Sequence, residues 1–112
     1  MAALIEDHPN STIFVNGHSL GGALAVFAAL DIKLYLNPSN NMTLYTYGQP
    51  RIGNEKFSDL LFSQFDGSYI RVTNYDDAVV HIPPLVSLFK HAGNEAWYNS
   101  RDYDGSFMEC PN

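Results

Sequence analysis

Ser11-Thr12-Ile13-Phe14-Val15-Asn16-Gly17-His18-Ser19-Leu20-Gly21-Gly22-Ala23-Leu24-Ala25-Val26-Phe27 is the stretch on which the reading of the fold turns. Residues 11–15 form a short β-branched and aromatic run, which reads as a buried strand. From Leu20 to Leu36 the apolar residues leave only a narrow polar face, which predicts a helix packed on both sides and stopped by Asn37-Pro38. Between strand and helix stands a serine with glycines two positions before and two after it. A serine on such a turn must take a strained backbone to project its hydroxyl, and glycines remove side chains that would clash there. The first amides of the following helix lack intrahelical partners, so the N–H of Leu20 is a natural donor to an oxyanion.

Working outward, residues 2–7 read as the end of a helix closed near His8 by Pro9. Met42 to Tyr47 is a second strand, closed by Gly48-Gln49-Pro50. Asn54 is placed to N-cap a helix to about Phe65, with Phe57, Leu60, Leu61 and Phe65 at helical spacing. Asp66-Gly67 turns the chain into a third strand, 69–73, and Glu95 to Tyr98 reads as a short fourth. Strands alternating with helices imply parallel pairing and right-handed crossovers. The fold class is α/β, a single domain over residues 1–112, a mostly parallel sheet with flanking helices.

Composition narrows the function. The chain of 112 residues is 46% hydrophobic and 13% aromatic, enough to bury a core. Twelve acidic residues against six basic ones give a net charge of −6. No Lys/Arg cluster exists to attract nucleic acid, and the acidic balance disfavours anionic membranes as standing partners. The longest apolar stretch is broken by Asp31 and Lys33, so no transmembrane segment is read. The first residues carry neither a basic n-region nor an apolar h-region, so no signal peptide is read in this chain. No His/Cys/carboxylate spacing suits a metal and no Gly-rich loop suits a phosphate, so no cofactor is expected. Asn10 and Asn41 fit the short glycosylation pattern, which decides no compartment.

In parallel α/β sheets, function gathers at the carboxyl ends of the strands. A serine there needs a base, itself oriented by a carboxylate, in the chain order Ser, acid, His. The acid lies in Asn74-Tyr75-Asp76-Asp77, and position does not separate Asp76 from Asp77. Two histidines follow. His81 is pressed between Val80 and Ile82-Pro83-Pro84, where it reads as a brace for the acid loop. His91, in Lys90-His91-Ala92-Gly93, has a loop with small neighbours from which an imidazole could swing over Ser19. The expected base is therefore His91. His18 reads as packing under the turn, and Cys110, beside Pro111 near the terminus, is not read as catalytic.

Four segments in order resemble the class 3 lipases, the fungal triacylglycerol lipase family of the α/β-hydrolases. They are Gly17-His18-Ser19-Leu20-Gly21-Gly22, the segment Thr46 to Asn54, the segment Arg71 to Pro84, and His91 to Tyr98. The resemblance covers roughly residues 3–98, with Val80 standing where the family usually has proline. It implies a partial α/β-hydrolase fold with the nucleophile elbow at residues 17–21. It implies a triad of Ser19, Asp77 and His91, and it selects Asp77 over Asp76. The implied partner is an ester or acylglycerol substrate at a lipid–water interface, and acyl transfer to an alcohol would use the same triad. Family members carry first strands, a lid and a second oxyanion donor before the elbow, which are expected to be lacking here. The competing expectation is accordingly a non-catalytic fragment or interaction module. Late disulfides in some members imply for Cys110 one half of a bridge in a secreted parent.

Overall fold

The computed structural model describes residues 1–101 and 105–111. Helix α1 (Ala2–Asp7) leads to strand β1 (Ile13–His18), helix α2 (Leu20–Asp31) and a π turn (Ile32–Leu36). Strand β2 (Met42–Tyr47), helix α3 (Glu55–Phe65) and strand β3 (Tyr69–Asn74) follow. Two 3-10 turns (Ala78–His81 and Leu85–Ser87) lie on the way to β4 (Asn94–Tyr98), and β5 (Met108–Cys110) closes the sheet. The strands lie in chain order, β1-β2-β3-β4-β5. The first four are parallel, and β5 is antiparallel to β4. This is the mostly parallel α/β sheet expected from the strand–helix alternation.

Local chemistry explains the helix ends. Asn54 Oδ1 accepts the Phe57 amide at 3.0 Å, the expected N-cap of α3. Asp66 adopts a left-handed conformation that ends that helix, and Gly67 at φ 81° continues the turn. The core lies between the sheet and its two helices, built from Val26, Ala29, Leu30, Leu44, Leu61, Phe65 and Tyr69.

Three expectations need correction. The 20–36 helix is α only to Asp31, and its last turn widens to π geometry before Asn37 takes a left-handed conformation. It is packed on one side only: Ala25, Val26, Ala29 and Leu30 are buried, whereas Leu20, Leu24 and Phe27 are exposed. Strand β1 begins two residues later than expected and alternates instead of being buried, with Phe14 66% exposed. The reason is common to both strand and helix: each buries the side that faces the core between helices and sheet, and the opposite side is at most partly covered by the described residues. On that opposite sheet face, Tyr45, Tyr47, Ile70, Val72, Ala96 and Tyr98 line a groove of about 610 Å³.

Candidate active site

Ser19 is the N-cap of α2 at φ 55° and ψ −126°, a conformation that an L-residue holds only when its surroundings impose it. Its own amide donates to Tyr47 O at 2.8 Å, fastening the turn to the end of β2. Its carbonyl accepts from Gly22 and Ala23 at 2.9 and 3.3 Å, which starts the helix, and its side chain makes no cap hydrogen bond. The hydroxyl is therefore not spent on capping, and the first amides of α2, those of Leu20 and Gly21, lie beyond the reach of helical acceptors.

The two flanking glycines are not equivalent. A Cβ on Gly17 would collide with the Gly21 carbonyl and the Gly22 amide, so strand and helix cross here at backbone contact. A Cβ on Gly21 would meet nothing within 4 Å. The second steric constraint falls instead on Gly22, where a Cβ would lie 3.1 Å from Gly17 O and 3.2 Å from Gln49 Cβ. Gln49 is buried and accepts the Tyr69 hydroxyl at 2.7 Å, and burial pushes that phenol up to about 12.

Asp77 comes to the same end of the sheet. Its amide donates to Asn74 O at 3.0 Å, and its Oδ1 accepts the Val79 amide at 2.9 Å. Its Oδ2 reaches Gly48, the residue after β2. A Cβ there would stand 3.0 Å from that oxygen and 3.8 Å from Nε2 of His18. Gly48 itself has φ 57° and donates to Val72 O at 2.9 Å, so the carboxylate approaches a gap that only glycine leaves open. Asp76 is exposed. The loops that carry Ser19, Gly48 and Asp77 thus leave the carboxyl ends of β1, β2 and β3 side by side.

His91 is not brought to this group. Ile70 pairs with Asn94, so residue 91 precedes the amino end of β4, whereas Ser19 and Asp77 follow carboxyl ends. Its carbonyl accepts Ser58 Oγ from α3 at 2.8 Å, and the next carbonyl, Ala92 O, accepts Arg71 Nε at 2.9 Å. The ring donates from Nε2 to Val80 O at 2.7 Å, and the buried Nδ1 has no hydrogen-bond partner. Burial and then the nearby Arg71 charge lower its pKa to about 4, so the imidazole is neutral and engaged with backbone. The expectation that His91 swings over Ser19 is corrected: residue 91 precedes the amino end of β4, and its ring nitrogen is engaged by Val80 O. His81, read as a brace, is itself exposed, and its carbonyl accepts from the Arg51 guanidinium. Gly48 and Arg51 stand in a segment the sequence marks as distinctive, yet neither received a role, because nothing in a linear pattern says which loop a glycine or an arginine faces.

Residues 1–87 match the family described as lipase (class 3). The chain belongs to this family. As a class 3 lipase sequence it is 43% identical over 96 residues to a lipase of Rhizomucor miehei, covering 82% of this chain and 26% of that protein. It superimposes on the solved triacylglyceride lipase of Rhizomucor miehei with a TM-score of 0.89 and 34% identity, over 99% of this chain and 42% of that one. A triacylglycerol lipase described as having a serine-protease triad at its catalytic centre matches with a TM-score of 0.81 and 39% identity, over 96% of this chain and 40% of that one. The 112 residues therefore span about a quarter of the curated relative and about two fifths of the solved ones. Among the described residues, no helix of this class 3 lipase chain is long and apolar enough to cross a membrane.

Proposed function

We propose that the protein hydrolyses carboxylic esters, acylglycerols foremost, through an acyl-enzyme on Ser19. The observation that carries this is the Ser19 backbone: a positive φ held at the mouth of a helix, with a hydroxyl free of capping duty. In the proposed mechanism the Ser19 hydroxyl attacks the ester carbonyl as the base takes its proton, the Leu20 N–H receives the developing oxyanion at the positive end of α2, and the alcohol leaves with that proton. Water activated by the same base then cleaves the acyl-enzyme, releasing the carboxylic acid and restoring Ser19. Asp77 is the carboxylate that orients the imidazole base, supported by its approach to Gly48 beside the elbow. The base itself is proposed to be a histidine from a part of the intact protein outside these 112 residues, because His91 Nε2 is committed to Val80 O. The likeness to longer triacylglycerol lipases supports both the substrate class and such a contribution.

The test is turnover of a short-chain p-nitrophenyl ester and of a triacylglycerol emulsion by the intact protein, with fluorophosphonate labelling alongside. Ser19→Ala should abolish labelling and lower kcat by about 10⁴ or more, and Asp77→Asn should lower kcat by ~10⁴. His91→Gln should stay within about tenfold of the parent, whereas a base replaced by glutamine would lose as much as Ser19→Ala. Labelling that survives Ser19→Ala, or a folded intact protein that never labels, would leave the chain a non-catalytic module.

A further inference from the structure

We infer that His91 and Arg51 together form a clamp on the backbone that follows Asp77, and that they act as positioning residues for its carboxylate. The inference rests on the reading of Asp77 as the acid of the site. Asp77 lies on the connection between β3 and β4, which contains no α-helix and only two short 3-10 turns. A carboxylate on such a loop is useful only if held to about half an ångström, which a loop does not achieve unaided.

Four consecutive carbonyls beyond Asp77, those of residues 80–83, are captured from outside the turn that bears it. Val80 O accepts from His91 Nε2 at 2.7 Å. His81 O accepts from the Arg51 guanidinium, and Pro83 O accepts from the same Nη1 at 2.8 Å. Ile82 O, between them, accepts the Arg51 main-chain amide at 2.8 Å. His81 is an exposed residue whose carbonyl water could have satisfied, so its capture by the Arg51 side chain specifies a backbone position rather than rescuing a buried group.

Both ends of the clamp are anchored. Arg51 follows Gly48 and Gln49 at the end of β2. His91 is tied to α3 through Ser58 and adjoins Ala92, whose carbonyl holds Arg71 of β3. From Val80 the path to the carboxylate is short, because Asp77 Oδ1 accepts the amide of Val79. Losing the His91 donor therefore frees the turn that Asp77 caps, while the strand ends stay in place.

The experiment compares His91→Leu, which keeps bulk without a donor, with His91→Gln, whose side-chain amide can still donate to Val80 O. Both are made in the intact protein and read by amide hydrogen exchange and by ester turnover. His91→Leu should speed exchange at Val79 by about tenfold or more, with Leu44 in β2 unchanged. It should lower kcat by about tenfold with KM within about twofold, and His91→Gln should restore both readouts to within about threefold of the parent. Unchanged Val79 exchange in His91→Leu, or glutamine no better than leucine, would overturn the clamp. If His91→Leu does not fold, Arg51→Met replaces it under the same criteria, with Arg51→Lys as the rescue. Exchange reports on the clamp even where turnover is nil, so failure of the esterase reading is seen separately.

Discussion

At the residue scale, the elbow shows how one strained dihedral is sustained. A positive φ at serine costs on the order of 1–3 kcal/mol, and here Tyr47 O, Gly22 N and Ala23 N hold the residue from both sides. The geometry predicts unequal roles for the two flanking glycines, although the sequence presents them as a symmetric pair. Gly17→Ala should destabilise these 112 residues by about 3 kcal/mol or more, since backbone must move, while Gly21→Ala should gain about 0.5–1 kcal/mol of helix stability. Urea unfolding of the two variants checks this, and equal effects would refute the asymmetry. The sequence showed which residue types could do chemistry here. It could not show direction: only the resemblance separates Asp77 from Asp76, and the loop and small neighbours of His91 do not say that its ring donates to Val80 O.

At the element scale, alternation and apolar spacing located β1 to β4 and α1 to α3 with ends off by a few residues. Strand β5 carries no sequence signal because the three residues Met108-Glu109-Cys110 are too short a run, and only pairing with Glu95, Ala96 and Trp97 makes it a strand. Period-two alternation tells which residues share a face, but not whether that face is covered. Phe14, Tyr45, Tyr47, Ile70 and Val72 are apolar or aromatic enough to read as core, yet they lie on the sheet face turned away from it, Phe14 and Tyr47 exposed and the others along an open groove. These 112 residues expressed alone should therefore bind the dye ANS while retaining native near-ultraviolet dichroism, and the dye should report a folded rather than a molten state. An absence of ANS binding by the folded chain would show that this face is covered in solution.

At the scale of the whole molecule, His91 couples the loop after Asp77 to pH. Its pKa is lowered from 6.5 to about 4, first by burial and then by Arg71, with Arg51 adding to the effect while the Val80 hydrogen bond and Glu95 oppose it. The unfolded chain takes up a proton near pH 6.5 that the folded ring resists until about pH 4. This contribution is therefore complete above pH 6.5 and lost as pH falls toward 4, by about 2 kcal/mol once water around a partly buried ring is allowed for. Unfolding midpoints at pH 7.5 and 4.5 should differ more for the parent than for His91→Gln, which separates this ring from the carboxylates that protonate in the same range. Equal differences would exclude the linkage. What is legible along the chain is whatever depends on neighbouring residues: the turn at Ser19, the Asn54 cap, the strand–helix alternation and the identity of the proposed nucleophile. What the tertiary structure decided is whatever depends on distant backbone. Register puts residue 91 before the amino end of β4, and four carbonyls after Asp77 turn toward Arg51 and His91. Hydrogen-bond direction is fixed only when separate segments meet, so a linear pattern carries the donors without their acceptors.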